Sequence, residues 1–146
     1  MAKTASHTLT YEQAQQRAAA LCSASEHCIS DMSEKLYRWG LSKQDSEKII
    51  DYLIDEKYID ERRYALAYTN DKFRFSHWGR VKIRAMLRMQ RISDTDINEA
   101  LDNIDEQQYL EILEGVIEAK RKSIGDDGSY ASRTKIIRFA LQRGFE

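Results

Sequence analysis

The chain has 146 residues with no proline, six glycines, 32% charged residues and a formal net charge of −1. Scarce helix breakers favour long helices, and a pI near 6.3 argues against a protein that coats nucleic acid by charge alone, for which a pI above about 9 is usual. No apolar run approaches a membrane span and the polar stretch Met1 to Leu9 has no apolar signal core, so a cytoplasmic protein is expected.

Helical periodicity runs through almost all of the rest. Thr10 and Gln13 stand at capping-box spacing and open a helix to about Cys22. A second helix is predicted from about Ser30 to Trp39, with Gly40 as its stop signal. Ser42 and Asp45 cap a third, which carries Ile49, Ile50 and Leu53 on one face. Asp60 starts a long helix through Tyr64, Ala65 and Tyr68 toward Phe75. Gly79 opens one carrying Ile83, Met86 and Leu87, and Ser93 and Asp96 cap a shorter one with Ile97, Ala100, Leu101 and Ile104. From Asp105 a helix carries Leu110, Leu113, Val116 and Ile117. A loop by composition follows over 124–129, then a closing helix with Ile136 and Phe139.

This grammar repeats. Leu41-Ser42-x-x-Asp45 recurs as Ile92-Ser93-x-x-Asp96 at an offset of 51 residues, and Leu36 falls on Leu87 at the same offset. Arg80-Val81-Lys82-Ile83 recurs as Arg133-Thr134-Lys135-Ile136 at an offset of 53. The expected fold is all-α, with tandem three-helix repeats over 10–56, 57–104 and 105–146, the last lacking its final helix, in an elongated array. The absent helix is expected to leave part of the third unit's apolar face uncovered.

Charge is segregated along the chain. Seven basic and no acidic residues lie between Lys72 and Arg91, and eight acidic and no basic ones between Ile92 and Glu114. Arg80, Arg84, Arg88 and Arg91 fall three or four apart and form one stripe on a helix, where like charges repel by a few tenths of a kcal/mol per pair. Helix stability does not account for such a stripe; an anionic partner does. Phe73, Phe75 and Trp78 flank it, a pairing of aromatic and basic groups suited to single-stranded nucleic acid or to a protein hot spot. The plainer alternative makes Phe73 and Trp78 core residues and the arginines a solvated face; Trp39 and Tyr64 read as core. The candidate partner-binding residues are Lys72, Arg74, Arg80, Lys82, Arg84, Arg88 and Arg91, with Arg133, Lys135 and Arg138 of the closing stretch. Alanine at Arg80, Arg84 and Arg88 together is expected to leave the fold intact and to weaken binding sharply.

Catalytic chemistry finds no footing. His7, His27 and His77 stand isolated, Asp126-Asp127 reads as a solvated turn, and no phosphate-binding GxxxxGK[ST] loop occurs. Cys22 and Cys28 lack further zinc ligands and read as reduced, partly buried thiols. No cofactor or metal is expected. An autonomous DNA-binding protein, with Gly79 to Arg91 as a recognition helix, is the competing reading.

The segment Tyr58-Ile59-Asp60-Glu61-Arg62-Arg63-Tyr64-Ala65 resembles the signature of the RecX family of bacterial recombination regulators, as does Trp78-Gly79-Arg80-Val81-Lys82-Ile83-Arg84-x-x-Leu87. The resemblance covers nearly the whole chain from about residue 10. It implies a non-enzymatic regulator that docks in the groove of the RecA filament on single-stranded DNA and inhibits strand exchange and ATP hydrolysis. It implies only weak or indirect contact with the DNA, and a monomer is expected. Two positions depart from the family pattern. Lys57 and Arg91 stand where glycine is common, whereas Gly40 and Gly144 keep the residue at the positions equivalent to Arg91. A side chain in a left-handed cap costs roughly a kcal/mol.

Overall fold

The fold follows from its helix caps, most of which are local. In the computed structural model, which describes residues 8–146, eight helices and no strand are present among the described residues. The reading of His7 and of most of the polar N-terminal stretch concerns residues outside that range. Thr10 and Gln13 close a full capping box on α1 (Tyr11–Ala24). α2 (Ile29–Arg38) follows, and Ser42 accepts from the Asp45 N–H at the start of α3 (Lys43–Asp55). Asp60 accepts from the Arg63 N–H at the start of α4 (Glu61–Arg74). α5 (Arg80–Met89) precedes α6 (Asp94–Asp102), which Ser93 caps as Ser42 caps α3. Asp105 caps α7 (Glu106–Ile124) and Ser129 caps α8 (Tyr130–Gln142). Each of these caps satisfies an N–H that the first turn leaves without an intrahelical partner.

The chain divides into two compact units, one ending at Tyr64 and one running from Ala65 to Glu146, so the division falls within α4. In the first, α1 and α2 both pack on α3 over Ala14, Ala18, Met32, Leu36, Ile49 and Leu53, all fully buried. Cys22 and Cys28 are buried thiols outside any disulfide, and burial pushes the Cys28 thiol up to about 11. In the second, α5 packs on α6 and α7 on α8, with Ile83, Leu87, Ile97 and Leu101 buried. Phe73 is core as the plainer reading has it, stacked on Tyr109 at 5.7 Å between ring centres, and Phe145 tilts against Tyr109 at 5.4 Å. Phe75, two residues on, is 80% exposed.

The left-handed caps fall where the repeat puts them. Gly40 has φ 87° and Gly144 φ 96°, while Lys57 and Arg91 adopt φ 62° and 60° with a side chain to accommodate. His77, at φ 55°, joins them without any sequence signal. Lys57 is exposed and carries no side-chain bond among the described residues, so Lys57→Gly is expected to raise stability by about 0.5–1 kcal/mol. Urea unfolding followed by circular dichroism measures this as a higher midpoint at unchanged slope.

Candidate partner-binding surface

Two helices start without a capping side chain, and both are capped from far along the chain. The N-cap of α2 is Cys28 and that of α5 is Gly79, neither of which supplies a side-chain capping bond. For α2, Glu61 accepts from the Ile29 N–H at 2.9 Å. Arg63 secures the same corner, donating to Glu26 at 2.6 Å and to the Lys57 and Tyr58 carbonyls. The Asp60-Glu61-Arg62-Arg63 segment is thus largely architectural.

The start of α5 is held by a clasp. The Gly79 N–H donates to the Arg143 carbonyl at 2.8 Å and the Val81 N–H to the Gly144 carbonyl at 2.9 Å. Between them the Arg80 N–H donates to the Tyr109 hydroxyl at 3.1 Å, and that hydroxyl donates onward to Glu146. The Arg80 guanidinium lies 3.9 Å from the Tyr109 ring centre and pairs with Glu106 and, at 3.5 Å, with Glu146. The backbones approach so closely that a Cβ on Gly79 would lie 2.4 Å from the Gly144 carbonyl carbon.

Arg80 is therefore not part of a free stripe. Its side chain is 25% exposed and built into the clasp, so the triple alanine variant is not fold-neutral as first expected. Arg84 reaches Asn98 of α6 at 2.8 Å and Arg88 reaches Asp94 at 3.3 Å. The acidic stretch thus neutralises part of the basic one within the chain, and the like-charged spacing on α5 has an internal counterpart. Arg91 is exposed with no ion pair among the described residues, as are Arg74 at the end of α4 and Arg133, Lys135 and Arg138 on α8.

Lys72 and Lys82, from different helices, converge on one ring. Their ammonium groups lie 4.9 and 4.4 Å from the centre of the Trp78 indole, and Tyr68 meets that ring edge-on at 6.5 Å with Lys72 5.5 Å from its own centre. All four side chains are half-buried, and neither lysine has an ion pair among the described residues. Each cation over an aromatic face gains about 0.5–1 kcal/mol, but two ammonium groups on one ring leave their charge uncompensated. The cluster is a platform with surplus positive charge, suited to a phosphate or carboxylate beside a flat apolar group.

Titration of the clasp follows from its geometry. Burial and the bond to Glu146 push the Tyr109 hydroxyl up to about 12 from its ordinary 10. Burial raises the Glu146 carboxyl, but the bonds from Tyr109 and Arg80 outweigh it and hold the group below its usual range. A raised tyrosine gives stability that is intact below pH 10 and lost as pH rises through about 12. A lowered carboxyl gives stability present above its ordinary value of 4.5 and lost as pH falls through the folded-state value. The melting temperature is thus expected to fall on both sides of a plateau, and Tyr109→Phe to remove the component between pH 10 and 12. Melting curves of the two proteins across that range check it.

The sequence does not announce Glu26, Glu61, Glu106, Tyr109, Gly144 or Glu146 as partners of these helix starts. The available signal was Gly79, which opens a predicted helix with no side chain to cap it; the other helix was predicted from about Ser30, two residues past its N-cap at Cys28. Among the described residues there is no group of three or more metal-donor side chains and no helix long and apolar enough to cross a membrane.

Residues 60–101 match the family description "RecX, second three-helix domain". The chain is 30% identical over 114 residues to the regulatory protein RecX of Clostridium tetani, covering 77% of this chain and 52% of that protein. It is 28% identical over 127 residues to the Vibrio parahaemolyticus protein of the same name, covering 86% and 79% respectively. The chain spans about half the length of the Clostridium tetani and Leuconostoc mesenteroides relatives, 52% and 46%. A crystal structure of regulatory protein RecX superposes with a TM-score of 0.84 at 21% identity, over 93% of this chain and 67% of that one. The crystal structure of RecX from Lactobacillus salivarius gives 0.79 at 23% identity, over 93% and 88%. At these identities the structural likeness is one of fold.

Proposed function

We infer from membership of the RecX family, to which this chain belongs, that it regulates the RecA recombinase by docking on the filament RecA forms with single-stranded DNA, and that it inhibits strand exchange and ATP hydrolysis there without chemistry of its own. The observation that carries this reading is the Lys72–Trp78–Lys82 platform. A nucleoprotein filament offers acidic protein surface and phosphate together, and a cationic aromatic platform engages both by charge and stacking. Arg74, Arg91 and the exposed Phe75 extend the basic and apolar surface of the second unit.

The clasp weighs against an autonomous recognition helix. Helices of that kind present N-terminal residues to base edges, whereas the first N–H groups of α5 and the Arg80 side chain are occupied by the C-terminal segment.

Titration of the protein into a DNA-dependent ATP hydrolysis assay, with RecA from the same bacterium, tests the proposal. Loss of hydrolysis at substoichiometric protein is the expected result. No effect at several-fold excess, together with tight and steeply salt-dependent binding to naked DNA, would replace it with the autonomous DNA-binding reading.

A further inference from the structure

A half-open recess lies along α7, on the side of α8 that carries Phe139. It has a volume of about 490 Å³ and is floored by Ile112, Val116, Ala119 and Phe139. Its lining runs from Glu111 to Ser123, about 18 Å along the helix at about 1.5 Å per residue. This is not the side on which the repeat seats a following helix. Arg84 and Arg88 of α5, which reach α6, correspond at the 53-residue offset to Ile137 and Leu141. Phe139 stands two residues from each and so lies on the opposite side of α8.

Two cations and a glycine set this recess apart. The Lys120 ammonium and the Arg143 guanidinium lie 4.7 and 5.2 Å from the Phe139 ring centre, and neither has an ion pair among the described residues. Arg143 also donates to the Ser76 carbonyl at 2.9 Å, which fixes its guanidinium at the rim. Glu111, the one carboxylate in the lining, accepts from Gln107 at 3.4 Å. Gly115 stands in the middle of α7, exposed in the wall of the recess, where an added Cβ would meet nothing within 4 Å. No contact within the fold requires glycine there, and apart from proline it is the least favourable residue for a helix interior. The missing side chain leaves a bare stretch of helix backbone in the recess, open to close approach from outside.

We propose that this recess docks an acidic segment of a partner protein, which lays a bulky apolar side chain against Phe139, Val116 and Ile112 and sets a neighbouring carboxylate between Lys120 and Arg143. Charge and shape select that occupant. Free small molecules are held in sites that enclose most of their surface, whereas this recess is open along one side and long enough for a chain segment crossing Gly115. The two unpaired cations repel a basic segment and leave a place for a carboxylate. A nucleic acid strand would meet an aliphatic floor over most of the length and the Glu111 carboxylate at the rim. This inference does not rest on the proposed function: its occupant is defined by chemistry alone, and its test contains no recombinase.

The test measures the anisotropy of a fluorescent peptide, Glu-Asp-Phe-Glu-Asp-Leu-Glu-Asp, titrated with the full 146-residue chain. Binding is expected to weaken about tenfold or more when lysine replaces the acidic residues of the peptide, and again when serine replaces its two apolar ones, each tenfold being about 1.4 kcal/mol. A similar loss is expected in the Gly115→Leu protein, whose new side chain fills the recess, and in Lys120→Gln. Gly115→Leu should melt no lower than the parent, because its side chain enters open space on a helix that favours leucine over glycine. No binding of the acidic peptide at millimolar concentration, binding indifferent to Gly115→Leu and Lys120→Gln, or a Gly115→Leu protein that melts lower would overturn the proposal. So would binding of single-stranded oligothymidylate that is lost in Gly115→Leu, which would assign the recess to nucleic acid.

Discussion

Gly144→Ala is expected to cost the second unit about 3 kcal/mol or more. Two independent penalties coincide there. The backbone sits at φ 96°, a region that an L side chain enters at a cost of order 1–3 kcal/mol. The new Cβ would also lie 2.4 Å from the Lys82 Cβ and 2.6 Å from the Lys82 nitrogen, and an overpacked site of this kind typically costs a further 1–3 kcal/mol. Because a backbone atom is involved, rotamer changes cannot relieve the contact. Gly125→Ala separates the two terms. Gly125 has φ 63° but open space around it, so only the backbone term applies and the loss should stay near 1 kcal/mol. Denaturant unfolding of the two variants gives the comparison. Hydrogen exchange adds a local readout, since Gly144→Ala should deprotect the Gly79 and Val81 amides that the clasp holds.

The second large effect is a division of the basic residues into two kinds. Arg80→Ala is expected to lower stability by about 2 kcal/mol, from a charge-assisted hydrogen bond to Glu106, itself largely exposed, and a close contact with the Tyr109 ring. Lys72→Ala with Lys82→Ala should change stability by no more than about 0.5 kcal/mol each, because their charges repel across one indole as much as each gains from it. For partner binding, on the proposed function, the order reverses. The double lysine variant should lose about tenfold or more in its effect on RecA hydrolysis. Arg80→Ala should retain it at temperatures where the protein stays folded. Melting temperature and the hydrolysis titration, measured on both proteins, decide the matter. A double lysine variant with undiminished inhibition would remove the platform from the docking surface.

The parts of this structure legible in the sequence were the local ones. Thr10, Ser42, Ser93 and Asp105 cap their helices through bonds spanning three residues, and that spacing is visible in the chain. The left-handed positions at 40, 91 and 144 were legible because the repeat aligns them, even where one holds arginine. The clasp was not, because its bonds join residues at least 26 positions apart. A basic run followed by an acidic run reads equally well as two surfaces or as one surface folded against another. The structure distributes them: Arg80 and Arg88 pair with acidic residues and Arg84 with Asn98, while Lys72 and Lys82 gather at Trp78. Lys72, Lys82 and Trp78 were named from the sequence, but a lysine reaching over the indole of a linking segment leaves no periodic trace, so their convergence could only be read from coordinates.

The two buried thiols have a practical consequence. Cys22 and Cys28 both lie buried in the first unit, and burial pushes both thiols up, away from the reactive thiolate. An alkylating reagent can therefore modify them only when that unit opens. The labelling rate becomes a stopwatch for breathing of the first unit alone, blind to the second. Read beside the emission of Trp78 in a Trp39→Phe variant, which reports on the other unit, it lets the two clocks be compared in a single chain.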